Sequence, residues 1–441
     1  MANSELTQPT ILIIFGISGD LSGRMLLPAI DEIARNDVLP QQFRIVGVTR
    51  RPLALEEVLP EGSSDWLREH TQLLQIDTAS LDGYKQLSEH LRELEADYGA
   101  EAQRLYYLSV PPDVSNPIIV KLGESGLAKA PDTKLLLEKP FGVNLASAEQ
   151  LVTHIHEHFL EEQIYRIDHF LAKEMAQNLV VFRAANSLFR GTWNHEFIEK
   201  ITITTSEHIG IEGRTNFYEQ TGALRDLIQS HLLQLAALTL MELPKLENPE
   251  ELPAHRLAAL EALRSPQDLT NDTLRGQYDG YRDEAQNQES RVETMARLTL
   301  TSTSERWQGV PITIETGKAL KKTYTEIRLH YRQEHAREAN ELVLRIQPNE
   351  GISVALWVKR PGYDREFERR TLSFDYDRHY DKLPKAYERV FVDAMRGDHS
   401  LFATSAEVLA SWRIIQPVLD HWDNGGTELR NYGAGSDIRE L

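Results

Sequence analysis

The strongest constraint on the fold lies near the start, where Ile11-Leu-Ile-Ile-Phe15 stops at Gly16-Ile-Ser-Gly19-Asp-Leu-Ser22. The helical pattern Met25, Leu26, Leu27, Ile30, Ile33 follows. A short apolar run without polar alternation suits a strand buried on both faces, as in a parallel sheet covered by helices. A glycine turn carrying such a strand into a helix lets backbone approach a pyrophosphate and points a helix N-terminus at its charge. The spacing here is G-x-x-G-x-x-small rather than G-x-G-x-x-G, so an ordinary glycine turn is the competing reading. Its place after the first strand favours dinucleotide binding, with Gly16, Ser18, Gly19, Asp20 and Leu21 as the contacting turn.

A second strand, Phe43-Arg-Ile-Val-Gly-Val-Thr49, ends in Arg50-Arg51, and no acidic residue appears until Glu56. An acid at this point would hold a ribose 2′-hydroxyl, whereas arginine accommodates a 2′-phosphate. The pattern predicts NADP, held by Arg50 with Arg51 beside it. Further along, leucines at 81, 87, 91 and 94 closed by Gly99 predict an amphipathic helix. Leu105–Val110 and Lys134–Leu137 read as further strands, the latter running into Glu138-Lys139-Pro140-Phe141-Gly142. An X-Pro bond tolerates cis geometry, so Lys139–Pro140 is a candidate for it.

Alternation of strands and helices continues to Asp168, which closes a predicted first domain, 1–168. From 169 to 441 the pattern changes. Runs at 200–206, 294–300, 325–331, 341–346 and 352–357 read as strands without helices between them, which implies a mainly antiparallel sheet. Helices are predicted at about 172–187, 218–241 and 384–422, with helix and loop over 243–292. The predicted fold is an α/β Rossmann-like dinucleotide-binding domain followed by an α+β domain with a large, mainly antiparallel sheet.

Bulk properties narrow the function. At 441 residues, with 41% hydrophobic and 26% charged, the chain can bury two cores. A net charge of -19 argues against nucleic acid or an anionic membrane as partner, and requires any anion site to be a local basic pocket. With no cysteine there is no disulfide, thiolate metal site or cysteine nucleophile, and no metal site is predicted. The opening MANSELTQPT lacks the basic and apolar regions of a signal peptide, and no apolar run is long enough to span a bilayer. A cytoplasmic location is the expectation.

At the predicted boundary stands Arg166-Ile-Asp-His-Phe-Leu-Ala-Lys-Glu174, which sets a carboxylate, an imidazole and an ammonium at a strand-to-helix joint. A capped helix start, with Asp168 as N-cap and His169 and Lys173 solvated, is the competing reading. The segment resembles the glucose-6-phosphate dehydrogenase signature RIDHYLGKE, differing at Phe170 and Ala172. Other landmarks of that family follow in order: GISGDL, EKPFG at 138–142, RDLIQSHL at 225–232, ERWQGVP at 305–311, GKAL at 317–320, NELVLRIQP and AYERVFVDAMRGD.

The resemblance implies oxidation of glucose 6-phosphate to 6-phosphogluconolactone with NADP. It implies His231 as general base and Asp168 as its carboxylate partner, since histidine titrates near neutrality. By the same correspondence His169 and Lys173 grip the phosphate, and Lys139 lies between cofactor and sugar. Glu207, Asp226 and Lys318 then bind the sugar. A homodimer or homotetramer formed through the larger domain's sheet is also implied. Departures bear on the phosphate: Phe170 lacks the family's phenol, and Thr323 stands where a second basic residue is common. Glu315 replaces a common arginine, which argues against the second, structural NADP of some members. Two alternatives stay open, a dehydrogenase of an unphosphorylated or different sugar and a catalytically silent nucleotide-binding regulator.

Overall fold

The computed structural model describes residues 6–333 and 338–441. Its chain divides into two compact units. The first takes the chain up to Gly142, then Ala146–Ala172, then Pro384–Ser405; the second takes Val143–Leu145, Lys173–Leu383 and Ala406–Leu441.

In the first unit six parallel strands, β1 (Thr10–Phe15), β2 (Phe43–Thr49), β3 (Thr71–Gln75), β4 (Gln103–Leu108), β5 (Thr133–Leu137) and β6 (Ile164–Ile167), lie in the order β3-β2-β1-β4-β5-β6. The short strand Phe402–Ala403 pairs antiparallel with β6. Every residue of β1 and β4 is buried, as the unbroken apolar run of β1 requires. Strand order reverses between β1 and β4, the switch point where doubly wound sheets bind ligands. Helix Leu81–Tyr98 is capped by the Ser80 side chain and ends at Gly99, whose φ of 66° suits glycine.

The helix expected over 384–422 is two helices, Ala386–Arg396 and Ser405–Asp423. Gly397, at φ 74°, ends the first in a left-handed cap that periodicity alone does not reveal. Lys134 fastens that helix to the sheet: its Nζ donates to Ala394 O at 2.6 Å, Met395 O at 3.2 Å and Gln103 Oε1 at 2.8 Å. A cation on the last carbonyls of a helix also complements its dipole. Burial pulls the ammonium down to about 8, while Asp132 raises it. Lys134→Met is expected to cost about 2 kcal/mol, since buried acceptors lose their donor. Chemical denaturation should show this as a lower midpoint.

The second unit is built on a ten-stranded sheet. In spatial order its main path is Phe367–Asp375, Gly351–Lys359, Glu341–Gln347, Tyr324–Tyr331, Ile198–Ser206, Ile312–Gly317, Met295–Ser302, Thr273–Tyr278 and Leu429–Tyr432, with Leu263–Arg264 on Met295–Ser302. Most pairs are antiparallel, but Ile198–Ser206 runs parallel to Ile312–Gly317, and Thr273–Tyr278 to Leu429–Tyr432. Five of these strands were not expected. Thr273–Tyr278 lies inside the stretch read as helix and loop, because Arg275 and Gln277 break its apolar pattern. Both are buried through hydrogen bonds, Arg275 Nε to Thr427 O at 2.9 Å and Gln277 Nε2 to Val292 O at 2.9 Å. Phe367–Asp375 is an edge strand whose residues are largely exposed, so it carries little alternation. No described helix is long and apolar enough to cross a membrane.

Candidate active site

The glycine turn in the first unit is a backbone cradle. Gly16 has φ 84°, and a Cβ there would sit 2.3 Å from Ser109 O at the end of β4. The Gly19 N–H donates to Gly16 O at 2.9 Å, and Ser22 Oγ ties Gly16 O to Ser109 Oγ at 3.0 and 3.1 Å. Ile17 tucks inward, buried, leaving Ser18, Gly19 and Asp20 exposed and Leu21 half-buried. The inward tuck needs Gly47 in β2, where a Cβ would lie 2.5 Å from Ile17 Cδ1. The helix begins with a π-wound turn, Ser22–Leu26, before Leu27–Arg35. Arg50 and Arg51, both exposed, follow β2 beside β1. A cradle that any side chain would fill, at the strand reversal and under a helix start, fits a dinucleotide pyrophosphate.

At the end of β5, Lys139–Pro140 is cis. Glu138 accepts hydrogen bonds from the Tyr107 hydroxyl and, at 3.0 Å, the Tyr387 hydroxyl, both on the same Oε1. Burial raises its carboxyl pKa, the two hydroxyls and Lys139 lower it, and Asp168 raises it. The charges of two predicted site residues, Lys139 and Asp168, thus act on a carboxylate that sequence reading passed over. Tyr387, on the returning segment, gave no local signal of its role.

Asp168 is 4% exposed and its Oδ1 accepts the Phe170 N–H at 3.0 Å. It shapes the turn, but the helix itself starts at Glu174. Phe170 is buried, His169 half-buried. Arg166 is buried on Glu161 and Ser405, at 3.0 and 2.6 Å, and holds β6 in place.

In the second unit, Lys173 is the N-cap residue of Glu174–Ala185. Burial lowers its ammonium pKa and Glu350 raises it. Glu350 Oε2 accepts the Met175 N–H at 2.7 Å, so this acid caps the helix start. Glu207 and Lys318, read separately from the sequence, form an ion pair. The Lys318 Nζ also lies 5.3 Å from the centre of the buried Tyr218 ring. The Glu207 N–H donates to Gly317 O at 2.9 Å, and Leu320 N–H to Glu207 O at 2.9 Å, which locks the two loops together. Asp226, half-buried, and His231, 1% exposed, lie on the helical stretch Leu224–Leu240.

The departures have structural employment. Thr323 Oγ1 accepts the His208 N–H at 2.9 Å. Glu315 is buried on Arg297 Nε at 2.7 Å and Thr204 Oγ1 at 2.9 Å. Among the described residues, no group of three or more His, Cys, Asp or Glu could hold a metal ion.

Residues 13–178 match the family described as glucose-6-phosphate dehydrogenase, NAD binding domain, and 180–439 match its C-terminal domain. The chain belongs to the glucose-6-phosphate dehydrogenase family. A glucose-6-phosphate 1-dehydrogenase from Aggregatibacter actinomycetemcomitans is 38% identical, covering 96% of this chain and 93% of its own. One from Chlamydia muridarum is 35% identical, covering 97% and 93%. A solved structure of glucose-6-phosphate dehydrogenase in complex with glucose-6-phosphate superposes with a TM-score of 0.92 at 33% identity, covering 99% of this chain and 96% of that one. This family membership extends over both units, so the nicotinamide-cofactor domain and the large-sheet domain are each accounted for.

Proposed function

We propose that the protein oxidises C1 of glucose 6-phosphate with NADP, giving 6-phosphogluconolactone. End-to-end membership of the dehydrogenase family carries this reading. The cradle at Gly16 supports a dinucleotide, with the 18–21 backbone on the pyrophosphate, Arg50 and Arg51 on a 2′-phosphate and Lys139 near the reacting end. When bound, NADP supplies the acceptor for the hydride that leaves C1. The protein must remove the C1 hydroxyl proton as the carbonyl forms, a task for a base titrating near neutrality. His231 takes that proton, and Asp168 stabilises the resulting imidazolium and fixes the ring. Glu207, Asp226 and Lys318 hold the sugar hydroxyls, while His169 and Lys173 bind the phosphate.

Association as a homodimer or homotetramer and a cytoplasmic location complete the reading. Phe367, Leu372 and Phe374, exposed on the edge strand of the large sheet, support association through it. Light scattering on the eluting protein tests it; a monomer at micromolar concentration would refute it.

The direct assay uses purified protein with NADP or NAD and glucose with or without phosphate, followed by absorbance of the reduced cofactor. Turnover with glucose 6-phosphate and NADP is expected. Turnover of free glucose alone would favour the unphosphorylated-sugar alternative, and none with any pair would favour the silent regulator. Arg50→Ala is expected to raise KM for NADP about 10–100-fold and to change KM for NAD by less than about threefold, since a charge-assisted hydrogen bond contributes about 1.5–3 kcal/mol. Equal effects on both cofactors would remove Arg50 from the 2′-phosphate.

A further inference from the structure

The stretch bearing Asp226 and His231 does not start as an ordinary helix does. Gly222, just ahead of it, has φ 63° and ψ 179°, and a Cβ there would sit 2.3 Å from Glu293 Oε1. Glu293 is 6% exposed and holds the chain with both its backbone and its side chain. Its carbonyl accepts the Ala223 N–H at 2.9 Å, and its Oε1 accepts the Leu224 N–H at 3.1 Å. From Leu224 to Leu232 the backbone is π-wound, and the Leu233 N–H reaches back to Ile228 O.

The winding matters because Asp226 and His231 stand in an i, i+5 relation. In an α-helix, at about 100° per residue, such residues point roughly 140° apart. The i→i+5 bonding of a π-helix instead brings residue i+5 round above residue i. The kink and its clamp therefore decide which helix face each side chain occupies. A π-wound stretch of this length is uncommon and needs tertiary support at its ends. Burying a carboxylate is costly unless it is hydrogen-bonded, so the Glu293 grip on the helix start is its compensation.

We propose that Glu293 is a positioning residue, clamping the Gly222 kink so that the π-wound register sets Asp226 and His231 on one face of their helix. This rests on the reading of His231 as the base. Glu293→Gln keeps an oxygen acceptor for Leu224 and is expected to retain kcat within about threefold, the loss being one charge-assisted bond made neutral. Glu293→Ala is expected to lower kcat about 10–100-fold, with KM for NADP changed by less than about twofold. Gly222→Ala, which drives a methyl group into the Glu293 carboxylate, is expected to reproduce that pattern.

The deciding measurement is the cycle with His231→Asn. Acting through His231, Glu293→Ala should cost nothing further in that background. An equal loss in both backgrounds, a Gln variant no better than Ala, or wild-type kcat in Glu293→Ala would each overturn the clamp. Should Glu293→Ala fail to fold, Gly222→Ala carries the same cycle. Near wild-type kcat in the His231→Asn single variant would instead overturn the base assignment, and that result is visible before Glu293 is touched.

Discussion

Replacing His231 with asparagine is expected to cut kcat by about 10²–10⁴-fold while KM for glucose 6-phosphate changes by less than about threefold. Asparagine keeps a polar amide at a position where His231 is 1% exposed. What is lost is the imidazole that the proposed mechanism uses as proton acceptor. Asp168→Asn provides the matching test. Asp168 Oδ1 accepts the Phe170 N–H at 3.0 Å, a bond that an amide oxygen also makes. The substitution thus keeps the turn and removes the charge. A slower kcat is the expected outcome. Unaltered kcat in either variant would remove that residue from the proton-transfer assignment.

Lys173→Ala is expected to raise KM for glucose 6-phosphate about 10–100-fold and leave KM for glucose nearly unchanged, since one charge-assisted hydrogen bond contributes about 1.5–3 kcal/mol. Glu350, rather than the Lys173 side chain, caps the helix start by accepting the Met175 N–H. A phosphate here also gains from the helix N-terminus. Because burial lowers the Lys173 pKa from 10.5, the ammonium is lost at lower pH than on an ordinary lysine. KM for the phosphorylated sugar should accordingly rise early on the alkaline side, and KM for glucose should not. Phe170→Tyr probes the same grip. At 4% exposure, a hydroxyl added to Phe170 needs a partner. If phosphate supplies it, KM for glucose 6-phosphate alone falls; an unmet hydroxyl would instead cost about 1–3 kcal/mol of stability. Equal effects of Lys173→Ala on both sugars would place the phosphate elsewhere.

Local signals carried much of the architecture. The apolar β1, the Gly16 turn and the Ser80-to-Gly99 helix were legible because each depends on neighbours in sequence: burial on both faces, a positive φ, a cap. The strand Thr273–Tyr278 was not, because its buried Arg275 and Gln277 bond to Thr427, Ser290 and Val292 on other segments. The chemical types at the site were likewise readable, with their roles supplied by the family resemblance. The pairing of Glu207 with Lys318 was not, because two loops distant in sequence must meet to make it.

By itself, then, the sequence determined the dinucleotide-binding turn, the class of each domain's sheet and the family that this chain belongs to. These follow from short-range pattern and from motifs kept in one order. Tertiary structure alone decided the return of Pro384–Ser405 to the first unit, where Tyr387 meets Glu138 and Lys134 meets the helix carbonyls of Ala394 and Met395. It also decided the Gly222 kink and the π-wound register after it. An α-helical reading of RDLIQSHL puts Asp226 and His231 on different faces. The buried Glu293 reaches the Leu224 N–H at the start of that winding from a distant strand-side loop, and a long-range hydrogen bond leaves no periodicity to read.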